Sequence, residues 1–523
     1  MRSVSPMLDK PLDKPLDKPL DKPQDRKQLL LKNSAYSILS WIMPLVIGLI
    51  VTPIVVRRLG NEAYGLFSVI LGFISYSFSI GIGKTVSKYV AEYRASGEKE
   101  KLSDTLSSIL WISLGFGFIS VAIVFLTANY FVVHVLLIEP QFQETAVQAL
   151  YVAGLTLLAV MISQIFQFAL QGLHRFDHFL LLTNVNALVL NLGTVVIVYC
   201  GFGVLELVVW NFLVVLMIGL MFYWNAMRLL PEFKIRFRIG SEIWKPSLKY
   251  AVSIVVYQSF GNILLLFERG WIVRKFGTAA LTYYVVPMSL GFYFHGLVSS
   301  VAIVMFPVVN EFLSSRDTLL RIYRTSSKII LTMTGFFIVT CIFEGQVFLN
   351  TWMKGDFATY SYSILIIHAF TFAIISLTVV SWQMLESFGH ARINALGTVI
   401  WLVIAVPLMI VFSDHWQTSG VAFARLVGVF ALVPGIYYVE KNILGGISAK
   451  FWIVNPLRLI AAAAAAGVTQ WFVMGTMSAG WAVLIISGLA GMFAYILVLF
   501  LINFFEDDET AALKELGLKF RRL

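Results

Sequence analysis

Charged and amide side chains interrupt an otherwise apolar sequence at positions that could hold an anion. The segment FERGWIVRKFG, residues 267–277, carries four charges in eleven residues. Gln258, Asn262 and Arg269 lie within about 40° of one another on a helix of 3.6 residues per turn, so this stripe could face a cavity. Alternatively, the amides could bond to neighbouring helices while Arg269 pairs with Glu268 or extends outward to the surface.

Two further polar residues lie within long apolar runs. Arg425 is eight residues from the start of its run near Gln417. That places it about 12 Å deep at 1.5 Å per residue, too far for its side chain to reach the surface easily. It could attract an anion within a cavity, or it could pair with Glu344 or another acid. His368 could carry a coupling proton, or it could simply be hydrogen-bonded to its neighbours.

Amide side chains also repeat at helical spacing, because Gln164, Gln167 and Gln171 advance by three and then four residues. Such a ladder fits either a polar seam facing a hydrophilic cargo or hydrogen bonds between helices. The sequence has no metal-ligand spacing, phosphate-binding loop or nucleophile elbow, and its acidic run at 506–509 is typical of a solvated tail. We therefore predict no catalytic residues, no metal and no cofactor.

The elements that position these side chains follow from composition. Of the 523 residues, 59% are hydrophobic and 13% are charged, and the mean hydropathy is +0.82. Charged residues make up about a quarter of a typical soluble domain. Apolar runs of about 20 residues, enough for a helix to cross roughly 30 Å of hydrocarbon, recur along the whole chain. We predict an all-α polytopic membrane protein with about 14 transmembrane helices.

Lysine and arginine predict the orientation of these helices. With the N-terminus inside, the cytoplasmic segments hold 31 of the 39 basic residues and the outer loops hold six. The outer six are Arg57, Arg58, Arg269, Arg274, Lys275 and Lys354. Both termini are therefore expected in the cytoplasm. The net charge of +10 reflects cytoplasmic loops near anionic lipid, so we predict no binding of nucleic acid.

The predicted organisation has five parts. The tetrapeptide LDKP occurs four times over residues 8–23, and a proline at every fourth position prevents a helix there. The parts are a disordered cytoplasmic tail (1–33), an N-lobe of six spans (34–249), a C-lobe of six spans (250–440), two further spans (441–504) and a cytoplasmic C-terminal tail (505–523).

An internal repeat relates the two lobes. VVRRLG at 55–60 and IVRKFG at 272–277 each end a span, and they align at an offset of 217 residues. The same offset aligns Gly172 with Gly389 and Gly203 with Gly420. Six helices, an even number, separate the two copies, so both lobes enter the membrane in the same direction. We therefore expect parallel repeats with a cavity between two six-helix lobes.

These segments resemble a known family. The polysaccharide and oligosaccharide flippases of the MOP exporter superfamily, relatives of MATE exporters and lipid II flippases, open with a segment similar to NSAYSILSWIMPLVIGLIVTPIVVRRLGNEAYGLFSV. The turn in this segment carries Arg57, Leu59, Gly60, Tyr64 and Gly65. Their seventh span resembles LLFERGWIVRKFGTAALTYYVVPMSL, their fourth loop LQGLHRFDHF, and their eleventh and twelfth spans ESFGHARINALGTVIWLVIAVPLMIVF and TSGVAFARLVG. The resemblance covers roughly residues 30–440, and Glu268 departs from it because the family more often has Asp there.

The resemblance implies transport of an undecaprenyl-pyrophosphate-linked oligosaccharide from the inner to the outer leaflet of a bacterial inner membrane. Transport would proceed by alternating access and would serve surface polysaccharide biosynthesis. Each polar group of that cargo would lose its hydrogen bonds in hydrocarbon, so a polar cavity with cationic side chains is needed. Expected partners are the lipid-linked oligosaccharide and membrane lipids, with a polysaccharide polymerase and glycosyltransferases as further candidates.

Two other functions fit parts of the sequence. A MATE-like multidrug exporter would bind cationic drugs with acidic cavity residues, whereas the candidate cavity here is cationic. A polytopic glycosyltransferase or ligase would need a sizeable outer loop or an acidic metal site, and the sequence indicates neither. We therefore expect a transporter and not an enzyme.

Overall fold

A computed structural model gives the fold of most of the chain. It describes Met43 and residues 45–76, 82–231, 233–236, 241–303 and 315–505. Within these ranges it does not describe the side chains of residues 76, 82, 84, 85, 241–259 and 301–303. The predicted tail at 1–33, and all but the first residue of the tail at 505–523, lie outside the described residues.

Every regular element in the described part of the chain is helical, which confirms the all-α prediction. The helices are α1 (45–59), α2 (Asn61–Tyr76), α3 (Ile82–Ser96), α4 (Lys99–Tyr130), α5 (Pro140–Gly172), α6 (Phe176–Tyr199), α7 (Val204–Leu229), α8 (Ser241–Ile303), α9 (Arg316–Phe343), α10 (Gly345–Met353), α11 (Phe357–Ser387), α12 (Ala391–Val429), α13 (Val433–Tyr438), α14 (Ala449–Thr476) and α15 (Trp481–Leu501). A π-helical turn, Phe131–Val135, extends α4.

Length and composition allow nine helices of the described residues to cross a membrane. Two helices each cover two predicted crossings, namely α8, and α12 with the helical residues that continue it to Ile443. The 63-residue α8 breaks at Gly277, and the 39-residue α12 breaks at Trp416 and Gln417. We call the pieces before and after each break the first and second arms. With these arms and the shorter α1 and α2, the fold agrees with the prediction of about 14 transmembrane helices.

The helix breaks agree with the predicted repeat at its first aligned pair of segments, 55–60 and 272–277. Gly60, between α1 and α2, has φ +86°, and Gly277, between the arms of α8, has φ +83°. Residues with a Cβ rarely adopt this left-handed conformation, whereas glycine does so readily. The repeated glycine therefore marks the same sharp turn in both halves, and we call this end of the helix bundle the Gly60 end.

The repeat is displaced at a second junction. Gly389 has φ +76°, but Gly172, its counterpart at offset 217, is the last residue of α5, and the positive φ of +56° belongs to His174. The amide of His174 donates to the carbonyl of Gln171, as the amide of Gly389 does to that of Glu386. These turns therefore match at an offset of 215. The pairing of Gly172 with Gly389 is wrong by two residues, because histidine replaces glycine at the turn.

The last two helices are attached to the predicted C-lobe through two buried or largely buried carboxylates. Glu440 accepts hydrogen bonds from the Tyr323 hydroxyl at 3.1 Å and from Trp452 Nε1 at 2.6 Å. Glu344, at the end of α9, accepts one from the hydroxyl of Ser487 at 2.7 Å. Because Trp452 is in α14 and Ser487 in α15, these bonds join both helices to α9.

Candidate functional site

A buried ion pair joins the first arm of α8 to the second arm of α12. Arg425 Nη1 lies 2.7 Å from Glu268 Oε2, and the two side chains are only 3% and 1% exposed. The Tyr284 hydroxyl, from the second arm of α8, donates to the other carboxylate oxygen of Glu268. The carboxylate therefore has a donor on each oxygen, which is the condition under which a buried charge is tolerated.

Aromatic rings surround this pair. The Arg425 guanidinium lies 5.2 Å from the ring centre of Trp401 and 5.9 Å from that of Phe372, within the range of cation–π attraction. His368 on α11 meets the ring of Tyr284 edge-on, with ring centres 4.9 Å apart. His368 is fully buried, and neither of its ring nitrogens has a hydrogen-bond partner among the described residues. The structure thus brings the predicted Arg425 and His368 into one cluster.

Arg425 does not pair with Glu344, the acid named as its possible partner from the sequence. Glu344 bonds to Ser487 instead, and it is Glu268 that pairs with Arg425. Because Glu268 and Arg269 are adjacent in the sequence, an ion pair between them was one expectation. Consecutive residues of a helix, however, point about 100° apart. The two residues accordingly contact different helices.

Arg269 lies where the two predicted lobes meet. Its Nη1 donates to the carbonyl of Ser68 on α2 at 2.5 Å. A Cβ on Gly72, one turn further along α2, would lie only 2.9 Å from Cδ of Arg269, so the glycine makes room for this side chain. Arg269 is half-buried and about 12 Å from the turn at Gly277, counted at 1.5 Å per residue. The sequence analysis counted Arg269 among the outer-loop basic residues, whereas the structure places it within a helix, half-buried where the two predicted lobes meet.

The remaining predicted site residues are placed as follows. Asn262 is half-buried on the first arm of α8, two turns from Arg269 and on the same side of the helix. The side chain of Gln258 lies outside the described residues, although its backbone continues the same helix. Gln164 and Gln167 are half-buried on α5, and Gln167 donates to the hydroxyl of Ser163 at 3.0 Å. Among the described residues, neither amide of α5 makes a hydrogen bond to the cluster around Arg425.

Comparison with known proteins identifies the family. Residues 30–313, more than half of the chain, match the family model described as polysaccharide biosynthesis protein. The chain belongs to this polysaccharide biosynthesis protein family. No curated protein matches the sequence.

Solved structures with low sequence identity share the fold of this family member. The lipid II flippase MurJ in an inward closed conformation is 15% identical; the match covers 90% of this chain and 98% of MurJ, with a TM-score of 0.68. An inward-facing multidrug resistance MATE transporter of the MOP superfamily is 16% identical, with coverages of 79% and 94% and a TM-score of 0.60. A MOP superfamily transporter from Pyrococcus furiosus is 16% identical, with coverages of 80% and 96% and a TM-score of 0.60.

Family membership and fold confirm the resemblance to MOP-superfamily polysaccharide flippases. The protein is a multi-pass membrane protein with the fold of these transporters, and the ion pair distinguishes its two predicted lobes. At offset 217, the counterparts of Glu268 and Tyr284 are Val51 and Phe67, which belong to the apolar core or pack against it. In this member of the polysaccharide biosynthesis family, these positions are therefore polar in the C-lobe and apolar in the N-lobe.

Tyr284 is a member of the cluster that the sequence did not predict. Tyr284 is 16 residues from Glu268, and the break at Gly277 separates the two, so no helical spacing predicts their contact. The repeat offers the only signal, because a hydroxyl-bearing ring stands where the N-lobe has Phe67. A difference between repeats at a buried position can thus indicate a polar partner.

Proposed function

We propose that this transporter moves an undecaprenyl-pyrophosphate-linked oligosaccharide from the cytoplasmic to the opposite leaflet by alternating access. The observation that carries the proposal is the sign of the charge within the membrane. Glu268 has two guanidinium neighbours, Arg425 in the ion pair and Arg269 next to it in the chain, so these three side chains carry a net charge of +1. The balance is positive, which suits an anionic cargo.

Arg269 is the better candidate for direct contact with the pyrophosphate. It lies at the lobe interface, and a guanidinium binds phosphate oxygens through several N–H donors at once. Arg425 is already paired, so its effect on the cargo would pass through Glu268 unless the pair opens. Gln258, Asn262, Gln164 and Gln167 would then offer hydrogen bonds to sugars, and His368 would be a candidate for carrying a coupling proton.

The orientation is part of the proposal. The excess of basic residues in one set of loops favours cytoplasmic N- and C-termini in a bacterial inner membrane, with the Gly60 end facing outward. We further propose that the protein is not an enzyme. Its metabolic partners would be glycosyltransferases that build the cargo and a polymerase that extends it on the far side.

Charge substitution at the lobe interface tests the proposal. In a strain lacking the protein, complemented at equal expression, Arg269→Ala should lower surface glycan at least tenfold, because it removes a charged hydrogen-bond donor from the cargo. Arg269→Lys should retain part of the export. Arg458→Ala is the matched control, because Arg458 is a half-buried arginine of α14, outside the two predicted lobes, that donates to the carbonyl of Asn503. Normal export by Arg269→Ala would contradict an anionic cargo at this site.

The same strains test the alternative of a multidrug exporter, which the fold shared with MATE transporters keeps open. A cationic drug would be repelled by Arg269, so drug resistance should be the same with and without the protein. If the deletion raises drug sensitivity while surface glycan stays normal, the exporter function is favoured instead. A glycosyltransferase has less support, since the described residues contain no group of three or more candidate metal ligands.

A further inference from the structure

The two predicted lobes meet in a contact that repeats itself about a two-fold axis. The hydroxyl of Thr282 donates to the carbonyl of Asn61 at 2.6 Å. A Cβ on Gly65 would lie 1.8 Å from the carbonyl oxygen of Thr278, so only glycine allows this approach. Thr278 and Thr282 are the offset-217 counterparts of Asn61 and Gly65. Each half therefore presents the same two positions to the other, as an isologous interface requires.

Glu139 fastens this contact. Its Oε1 accepts hydrogen bonds from the backbone amide of Thr278 at 3.0 Å and from the Thr278 hydroxyl at 3.3 Å. Thr278 begins the second arm of α8, and a carboxylate is favoured where a helix start leaves N–H groups unpaired. A Cβ on Gly277 would lie 2.8 Å from the same oxygen. An N-lobe carboxylate thus caps a C-lobe helix, across the lobe interface.

The equivalent position in the other half is not used in this way. Asp356 is the offset-217 counterpart of Glu139. Glu139 immediately precedes α5, and Asp356 immediately precedes α11. Asp356 is exposed, however, and a Cβ on Gly60 would meet no atom of the described residues within 4 Å, so none of their carboxylates presses on that turn. The cap at Thr278 is therefore a one-sided addition to a two-fold contact.

Other hydrogen bonds between the predicted lobes lie toward the same end. Arg274 Nη1 donates to the carbonyls of His134 and Val135 at 3.0 and 2.7 Å, just before Glu139. Trp352 Nε1 donates to the carbonyl of Leu49 at 2.6 Å. Each hydrogen bond found between described residues of the two predicted lobes includes at least one residue that is close to Gly60 or Gly277. The furthest is Leu49, about 17 Å from Gly60 when counted at 1.5 Å per residue.

We infer that Glu139 is a positioning residue of the transport cycle, which holds the lobes together at the Gly60 end. The inference rests on the proposed transport function, because alternating access requires each end of the cavity to open in turn. To open this end, Thr282 must leave Asn61 and Glu139 must release the amide of Thr278. Glu139 then sets how often the closed contact parts, without touching the cargo.

Cross-linking tests whether the contact must part. In a background with Cys200→Ser and Cys341→Ala, Asn61→Cys with Thr282→Cys should form a disulfide on oxidation, stop glycan export, and regain export on reduction. Ser363→Cys with Ser419→Cys is the matched control, because these hydroxyls lie 3.0 Å apart at the same end but within the C-lobe alone. The control disulfide should form and leave export unchanged. Undiminished export by the cross-linked 61–282 pair would overturn the inference.

Thiol labelling tests the role of Glu139 separately. Thr282 is fully buried, so Thr282→Cys in the same background should react with a maleimide only while the lobes are parted. Loss of the hydrogen bonds to a charged acceptor should raise the labelling rate of the Glu139→Ala variant about tenfold or more. The Asp356→Ala variant should label at the parental rate. Equal rates for the two variants would show that Glu139 does not hold the contact.

Two controls keep these results separable. Buried Cys341, retained in a parallel set of variants, should stay unreactive, and a matching rise there would mean general loosening instead of release at the Gly60 end. Labelling needs no cargo, so its outcome does not depend on the proposed substrate. If the reduced, unlinked protein exports no glycan while labelling still responds to Glu139→Ala, the proposed function fails and the role of Glu139 stands.

Discussion

The pairing of Glu268 with Arg425 means that neither residue can be removed alone without consequence. Arg425→Met should leave the Glu268 carboxylate buried without its cation, a loss of about 3–5 kcal/mol in the free energy of unfolding. Glu268→Gln combined with Arg425→Met should cost much less, because the Tyr284 hydroxyl can still donate to the amide oxygen of Gln. Denaturant unfolding in detergent measures this cycle. Strictly additive losses would mean that the pair contributes nothing beyond its two members.

The same variants separate the two roles considered for Arg425. If Arg425 binds cargo, the folded double variant should export no glycan, since it lacks the guanidinium. If Arg425 serves to neutralise Glu268, the double variant should regain export that the single Arg425→Met variant loses. Surface glycan, compared at equal amounts of inserted protein, distinguishes the outcomes. Arg425→Ala alone cannot do so, because a destabilised protein and an empty binding site both reduce export.

At the scale of elements, the two junction glycines should differ in their tolerance of a side chain. Both have positive φ, so alanine at either position should cost about 1–2 kcal/mol. At Gly277 the new Cβ would also press on Oε1 of Glu139 at 2.8 Å, whereas at Gly60 it would meet open space. Gly277→Ala should therefore lower the melting temperature in detergent more than Gly60→Ala does.

A third variant identifies the cause of that difference. Glu139→Ala removes the side chain that the new Cβ would meet, so Gly277→Ala in that background should cost about as much as Gly60→Ala alone. The strain from positive φ remains in both cases, and only the contact with the carboxylate is relieved. If Gly277→Ala remains the more damaging change without Glu139, the cap does not explain the sensitivity of this junction.

For the whole molecule, the sequence predicted the features that depend on local properties, namely helices and turns. The length and hydropathy of each run predicted the helices, and the repeated VRRLG and VRKFG predicted the turns at Gly60 and Gly277. Partners between helices were harder to predict, because nothing near Arg425 in the sequence points to Glu268 or Tyr284. The sequence also misplaced the turn at His174. The backbone conformation of the turn is repeated there, but its glycine is not, so aligning glycines gave the wrong residue. The contact between the lobes, with its cap at Glu139, likewise depends on how distant segments pack.

Orientation is a property of the whole chain, and the N-terminal tail tests it. Deleting residues 2–24 should leave membrane insertion and glycan export unchanged, because Arg26, Lys27 and Lys32 still precede the first apolar run and keep that end cytoplasmic. Insertion can be measured by the protease accessibility of a tag at the C-terminus, and export by surface glycan. As a control, the same deletion variant with Arg26, Lys27 and Lys32 changed to Gln should insert partly in the opposite orientation. Normal insertion with lost export would instead make the repeated LDKP segment a docking arm for a cytoplasmic partner.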